Sequence, residues 1–162
     1  MHVLKKNRAW HIRKKLDVKV MKKGAKILLG THDFSTFRTS SCEAKSPIKT
    51  IEKISIKKSR NKITLKFVSK SFLQQQVRSM VGCLKYVAEK KWNVKKFEKV
   101  FKSKKRILCA PPAPAHGLFL EKVIGWTQRE SRFLFEHALP LKWCLDKLNW
   151  SKYHFRKRSQ IT

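Results

Sequence analysis

The stretch SFLQQQVRSMVGCLKYVAEKKW, residues 71–92, decides the fold. Its apolar residues Leu73, Val77, Met80, Val81, Leu84 and Val87 recur at spacings of three and four, which is one buried face of an α-helix. Arg78 follows Val77 directly, so it sits at the margin of that face and not on its solvent side. A helix with one apolar stripe needs a second layer to cover it, and the sequence on either side supplies a sheet. Upstream, Ile54 and Ile56, then Ile63, Leu65 and Phe67, alternate with polar residues around the turn-rich KKSRN, residues 57–61. That period of two predicts a β-hairpin. Downstream, residues 93–101 predict another helix with Trp92, Phe97, Val100 and Phe101 inward. CAPPAPAHG, residues 109–117, holds three prolines and a glycine and so excludes regular structure, while LFLEKVI, residues 118–124, predicts a strand.

Nearer the start, Asp17 is placed to cap a helix over 18–29 that Gly30 closes. The polar run THDFSTFRTSSCEAKSP, residues 31–47, has no clear period and reads as a loop or a short helix. The order helix, hairpin, helix, helix, strand predicts an α+β fold, a mixed or antiparallel sheet backed by helices. The domain organisation expected is a basic lead-in over 1–17, an α/β domain over 18–125, and a basic segment over 126–162 that holds three of the five tryptophans. With the last expected strand at 118–124, the core should be complete without that segment. Its role is open between an added helix, a basic RNA-contacting extension and a frameshifted end.

With 162 residues and 41% hydrophobic residues, including ten Phe, the chain suffices for one domain with a real core. The charge is lopsided: 40 Lys+Arg against 10 Asp+Glu, a formal net charge of +30. Such a field attracts a polyanion, nucleic acid first, although a lysine-biased composition gives the same balance in an ordinary domain. Cys42, Cys83, Cys109 and Cys144 are scattered without a C-x-x-C pair, which argues for isolated thiols over a zinc site or a disulfide framework. No signal peptide and no long charge-free apolar run occurs, so a cytoplasmic location is expected.

Four segments together carry a resemblance: GTHDFSTFR (30–38), CEAKSPIKTI (42–51), FLQQQVRSMVG (72–82) and APPAPAHGLFLEKV (110–123). In order and spacing they resemble the tRNA pseudouridine synthase I (TruA) family, and NRAWHIRKKLDVKVM (7–21) fits the segment just before them. The resemblance covers about residues 7–124 and implies the C-terminal half of a pseudouridine synthase fold, whose two related α+β halves share one continuous sheet. It implies an isomerase that turns uridine into pseudouridine at positions 38–40 of the tRNA anticodon arm, on a flipped-out base and with no cofactor or metal. The expected partner is tRNA, and the full-length family is expected to act as a homodimer.

The family's nucleophilic aspartate lies in a G-R-T-D-x-G-V-H-A motif and its base-stacking tyrosine in a later segment, and neither motif occurs in this chain. The resemblance therefore implies that the catalytic half is absent and that this chain alone is inactive. Arg78 holds the position of the family arginine that pairs with the catalytic aspartate; the rival reading is a side chain snorkelling from the core edge. Leu118 matches a leucine in the wall of the uracil pocket, although a strand core would also want one. Phe119 stands where many members have tyrosine, and Gln74 and Gln75 where some have histidines. Phe34 and Phe37 are candidates to stack on RNA bases or to pack under their loop. Arg38 and Lys45 are candidates for phosphate contacts, or solvated charges. Asp33 reads as a loop or capping residue, and His32 and His116 have no evident partners. A stand-alone RNA-binding module without catalysis is the alternative function; a structural or interaction domain with incidental charge is the third.

Overall fold

The computed structural model describes residues 9–124 and 154–161. Asp17 caps the first helix, α1 (Val18–Lys26). Its Oδ1 accepts from the backbone N–H groups of Lys19 at 2.9 Å and Val20 at 3.2 Å, donors that lack a carbonyl within the helix. The helix stops at Lys26, short of the expected 29, because the chain must turn before Gly30. Gly30, at a φ of +96°, opens strand β1 (Gly30–Asp33) in a conformation that costs most other residues dearly. The polar stretch expected as a loop or short helix thus contains a strand and a single 3-10 turn, Ser35–Phe37.

The hairpin forms as the alternation predicts. Strands β2 (Ile48–Ser59) and β3 (Lys62–Ser69) pair antiparallel from Ile51↔Ser69 to Ser59↔Lys62, turning through Arg60 at a φ of +47°. Helix α2 (Gln76–Ala88) buries Val77, Met80, Val81, Leu84 and Val87 at 2% exposure or less. It begins at Gln76 because Gln75 is left-handed, at a φ of +57°, and the Gln76 Oε1 folds back to accept from the Leu73 N–H at 2.7 Å. Helix α3 (Val94–Lys102) turns Phe97, Val100 and Phe101 inward, with Trp92 half-buried ahead of it. Met21, Leu84 and Phe97 from the helices and Leu28 from the turn after α1 join Leu65 and Phe67 from the hairpin in one apolar cluster.

Strand β4 (Leu118–Ile124) follows the proline-rich segment, and β5 (His154–Ile161) completes a sheet of order β1-β2-β3-β5-β4. Every neighbouring pair is antiparallel. The α+β class with helices on a sheet is as expected, but the sheet is not closed by residue 124. The segment over 126–162, read as dispensable to the core, contributes a strand between β3 and β4, with Ser159 4% and Ile161 1% exposed. Among the described residues β4 has β5 as its ladder partner, from Leu118↔Ser159 to Ile124↔His154. The basic lead-in also packs: Ala9 and Leu16 are buried, and Trp10 bridges to Ile161. Trp126, Trp143, Trp150 and Cys144 lie outside the described residues, as do residues 1–8. No helix among the described residues is long and apolar enough to cross a membrane.

Ile161→Ala should cost about 2–4 kcal/mol, the usual range for truncating a fully buried aliphatic side chain. Ending the chain at residue 125 strips β3 and β4 of their shared partner and should abolish the cooperative thermal transition in circular dichroism. A 1–125 chain melting as sharply as the full one would show that β5 is dispensable.

Candidate functional site

Positions 78, 79, 82 and 83 of α2 form two adjoining i,i+4 pairs on one stripe of the helix. Arg78, Ser79 and Cys83 contact the segment between α3 and β4 through their side chains, and Gly82 lies against it. Residues 111–114 read P-P-A-P, and proline has no N–H, so Ala113 carries the one backbone donor of that run. Its N–H donates to the Arg78 carbonyl at 2.9 Å, and the Arg78 Nε donates to the Ala113 carbonyl at 2.7 Å. This reciprocal pair fixes both the segment and the guanidinium of a half-buried arginine. One turn on, a Cβ at Gly82 would stand 2.1 Å from the Pro111 carbonyl oxygen, so the close approach requires glycine there.

On the neighbouring row, the Arg106 Nη1 donates to the Ser79 Oγ at 2.8 Å and lies 3.4 Å from the Cys109 Sγ. The Sγ atoms of Cys83 and Cys109 are 3.4 Å apart. Scattered in sequence, these two thiols meet in space. Their S–H···S contact and burial push the Cys83 thiol up, while that contact and the Arg106 charge bring the Cys109 thiol down against its own burial. Among the described residues no cluster of three or more metal-ligating side chains occurs.

The loop before β2 abuts the start of α2. The Gln74 Oε1 accepts from the Thr39 and Ser41 hydroxyls at 3.4 and 3.3 Å. Arg38, considered as a phosphate contact or a solvated charge, spends its Nη2 on the carbonyls of Cys42 at 2.8 Å and Ala44 at 2.9 Å. Burial pushes the Cys42 thiol up, but the N–H groups of Ala44 and Gln74, with the Arg38 guanidinium, outweigh it and hold the thiol low. Lys45 is exposed.

Phe34 and Phe37 are fully buried, their ring centroids 5.4 and 5.6 Å from that of Phe101. Of the two readings for these rings, packing is the one this geometry carries, because a ring without exposed surface presents no face to a base. Asp33 caps their turn: its Oδ1 accepts from the Ser35 N–H at 2.9 Å and hydroxyl at 2.6 Å, and its Oδ2 lies 3.0 Å from the Lys104 Nζ. Burial alone would raise its carboxyl, but Ser35 and Lys104 together hold it below the ordinary value. Leu118 is half-buried at the head of β4, opposite Ser159, which in turn stands opposite Leu65. Gly82, Ser79, Arg106 and Ala113 were not singled out from sequence; a glycine inside a helical period was the one available signal.

This docked helix and proline segment lie inside a stretch, residues 25–124, that matches the family model for tRNA pseudouridine synthase. The chain belongs to the tRNA pseudouridine synthase family. Among curated proteins it is similar to tRNA pseudouridine synthase A of Pelagibacter ubique, at 71% identity over 121 residues covering 75% of this chain and 49% of the relative. The synthase A proteins of Xanthobacter autotrophicus and Paramagnetospirillum magneticum are each 45% identical over 120 residues, covering 74% of this chain and 49% and 47% of those relatives. The chain thus spans about half the length of the curated relatives it matches.

Gly82→Ala should destabilise the chain by at least about 2 kcal/mol in denaturant unfolding, since backbone and not a flexible side chain must yield. Asp33 gives an acid-side test. Its folded pKa is depressed, so its contribution is complete above the unfolded value of about 3.9 and is lost as pH falls through the lower folded value. Asp33→Asn should therefore lower stability at neutral pH and flatten the loss of stability below about pH 4. Equal acid slopes for both proteins would remove the role given to Asp33.

Proposed function

We propose that this chain supplies the Arg78 face of the active site of a tRNA pseudouridine synthase, which isomerises uridine to pseudouridine in tRNA. The observation that carries this reading is the Nε contact to the Ala113 carbonyl, 2.7 Å long. It leaves the two terminal amino groups of the guanidinium as a planar fork of fixed direction, suited to grip a carboxylate bidentately and never deprotonated. Arg78 takes part in none of the ion pairs among the described residues, which join Lys66–Glu121, Lys85–Glu89, Lys91–Glu89, Lys102–Glu98 and Lys104–Asp33.

In the family the partner is the nucleophilic aspartate. A guanidinium beside it keeps the carboxylate ionised, hence nucleophilic, in a pocket whose apolar walls favour the neutral acid. Leu118 forms part of that wall. The exposed Lys45 attracts the tRNA backbone, Arg38 acts by holding the Cys42–Ala44 turn beside it, and Phe34 and Phe37 support the loop from beneath. The enzyme works in the cytoplasm as a pair of full-length copies, without cofactor.

A chimera tests this. Residues 7–124 of this chain replace the matching segment of the Pelagibacter ubique relative, and pseudouridine formation in tRNA is measured. The chimera should be active. Within it, Arg78→Ala strands a buried carboxylate at about 3–5 kcal/mol, which cuts turnover by roughly a hundredfold or more while tRNA affinity changes little. Arg78→Lys keeps the charge without the fork and should also fall well below the parent. Near-normal turnover of Arg78→Ala with only a lower melting temperature would return Arg78 to a snorkelling, purely structural role.

A further inference from the structure

The Cys83–Cys109 contact is absorbed neither by the pseudouridine reaction nor by core packing alone. Cys83 is fully buried on α2, whereas Cys109 is part-exposed at the end of the 3-10 turn Arg106–Leu108. Ile107 and Leu108, 88% and 48% accessible, precede Cys109 directly, so the turn that carries it lies at the surface. The Arg106 guanidinium reaches the Cys109 sulfur at 3.4 Å and touches Ser79 with the same nitrogen. The pair therefore has an accessible thiol beside a fixed positive charge and a shielded thiol in van der Waals contact with it. That is the layout of an attacked thiol and a resolving thiol.

We propose that Cys83 and Cys109 are an oxidation site for a hydroperoxide, closing an intramolecular disulfide that staples α2 to the segment holding Arg78. The Cys109 thiolate attacks the peroxide oxygen, the O–O bond breaks, and the leaving oxygen departs after protonation as the alcohol, or as water from hydrogen peroxide. Cys109 is now a sulfenic acid. In the reduced pair the proton of Cys83 is held by its contact with Cys109, by burial and by the charge on Cys109. Sulfenic acid formation removes that charge, so that burial alone opposes the Ala110 N–H and the Arg106 charge that favour the Cys83 thiolate, and the proton leaves as the sulfur attacks. The Cys83 sulfur then attacks the Cys109 sulfur, the S–O bond breaks, and the hydroxyl leaves as water with the proton that Cys83 gave up. In sum, two thiols and one hydroperoxide give one disulfide, one water and the reduced peroxide (a second water for hydrogen peroxide). The sulfurs must close by roughly 1.4 Å from their present 3.4 Å to reach bonding distance. The loop side carries the movement, since Cys109 follows a single short turn while Cys83 is locked in α2.

This inference stands independently of the proposed reaction and is tested on the full chain. The protein is treated with a slight excess of hydrogen peroxide, its remaining thiols are alkylated, and it is digested with trypsin. The expected product is peptide 79–85 joined to peptide 107–122, two hydrogens lighter than their sum and released by a thiol reductant. In the Cys42→Ser, Cys144→Ser background the same linkage should form with loss of both free thiols. Adding Cys83→Ser should leave a sulfenic acid on Cys109 that dimedone traps. Should the multiple variants fold poorly, the linked peptide from the unmodified chain decides alone. Continued alkylation of both cysteines, advance of Cys109 to the sulfinic acid with Cys83 still free, or a bond only between separate molecules would overturn the proposal.

Discussion

Where the Pro111 carbonyl meets Gly82, the chain returning from α3 comes closer to α2 than any residue with a Cβ would allow. The rest of the arrangement hangs on that approach. With the segment laid against the helix, the Ala113 N–H reaches the Arg78 carbonyl and the Arg78 Nε reaches back. The chain then leaves through a 3-10 turn, Ala115–Gly117, to deliver Leu118 as the first residue of β4. Proline contributes by subtraction. Three residues of 111–114 bring no donor that burial would leave unpaired, so the run can lie against a helix without a ladder of its own.

The elements whose stability comes from an apolar face are legible in the amino-acid sequence. The α2 stripe, the alternation of Ile54, Ile56, Ile63, Leu65 and Phe67, the inward set of α3 and the Leu118–Ile124 strand all announce themselves by period. Strands β1 and β5 carry no such period. β1 reads Gly-Thr-His-Asp and is held by four pairings to β2 along the sheet edge, including a Thr31–Thr50 hydroxyl contact of 2.8 Å. β5 reads His-Phe-Arg-Lys-Arg-Ser-Gln-Ile, a charged run whose place between two strands is set by backbone pairing on both sides. Hydrophobic pattern cannot report a strand that its neighbours hold mainly through main-chain hydrogen bonds.

The site divides in the same way. Arg78, Leu118 and the loop residues could be named because side-chain identity at a motif position carries information. What positions Arg78 is a carbonyl oxygen, and every residue has one of those. Arg38 shows the cost of reading side chains alone: its charge suggests phosphate or solvent, yet its Nη2 closes a turn through the Cys42 and Ala44 carbonyls. Phe34 and Phe37 were open between RNA and core, and three-dimensional packing against Phe101, distant in sequence, decides where their faces go.

The charge of the chain makes the constraint on Arg78 more telling. A molecule with 40 Lys+Arg has no need of one further cation near a polyanion. Exposed lysines such as Lys45 contribute potential that falls off within a Debye length and points nowhere in particular. Arg78 differs in being half-buried and tethered at Nε, so its remaining donors keep one plane and one bearing. Fixing a guanidinium costs side-chain entropy, up to about 2 kcal/mol for a long flexible chain. The reciprocal contact with Ala113 offsets that cost in the fold itself, before any carboxylate or substrate arrives. Direction therefore distinguishes this residue from exposed lysines such as Lys45, and direction is what a bidentate partner requires.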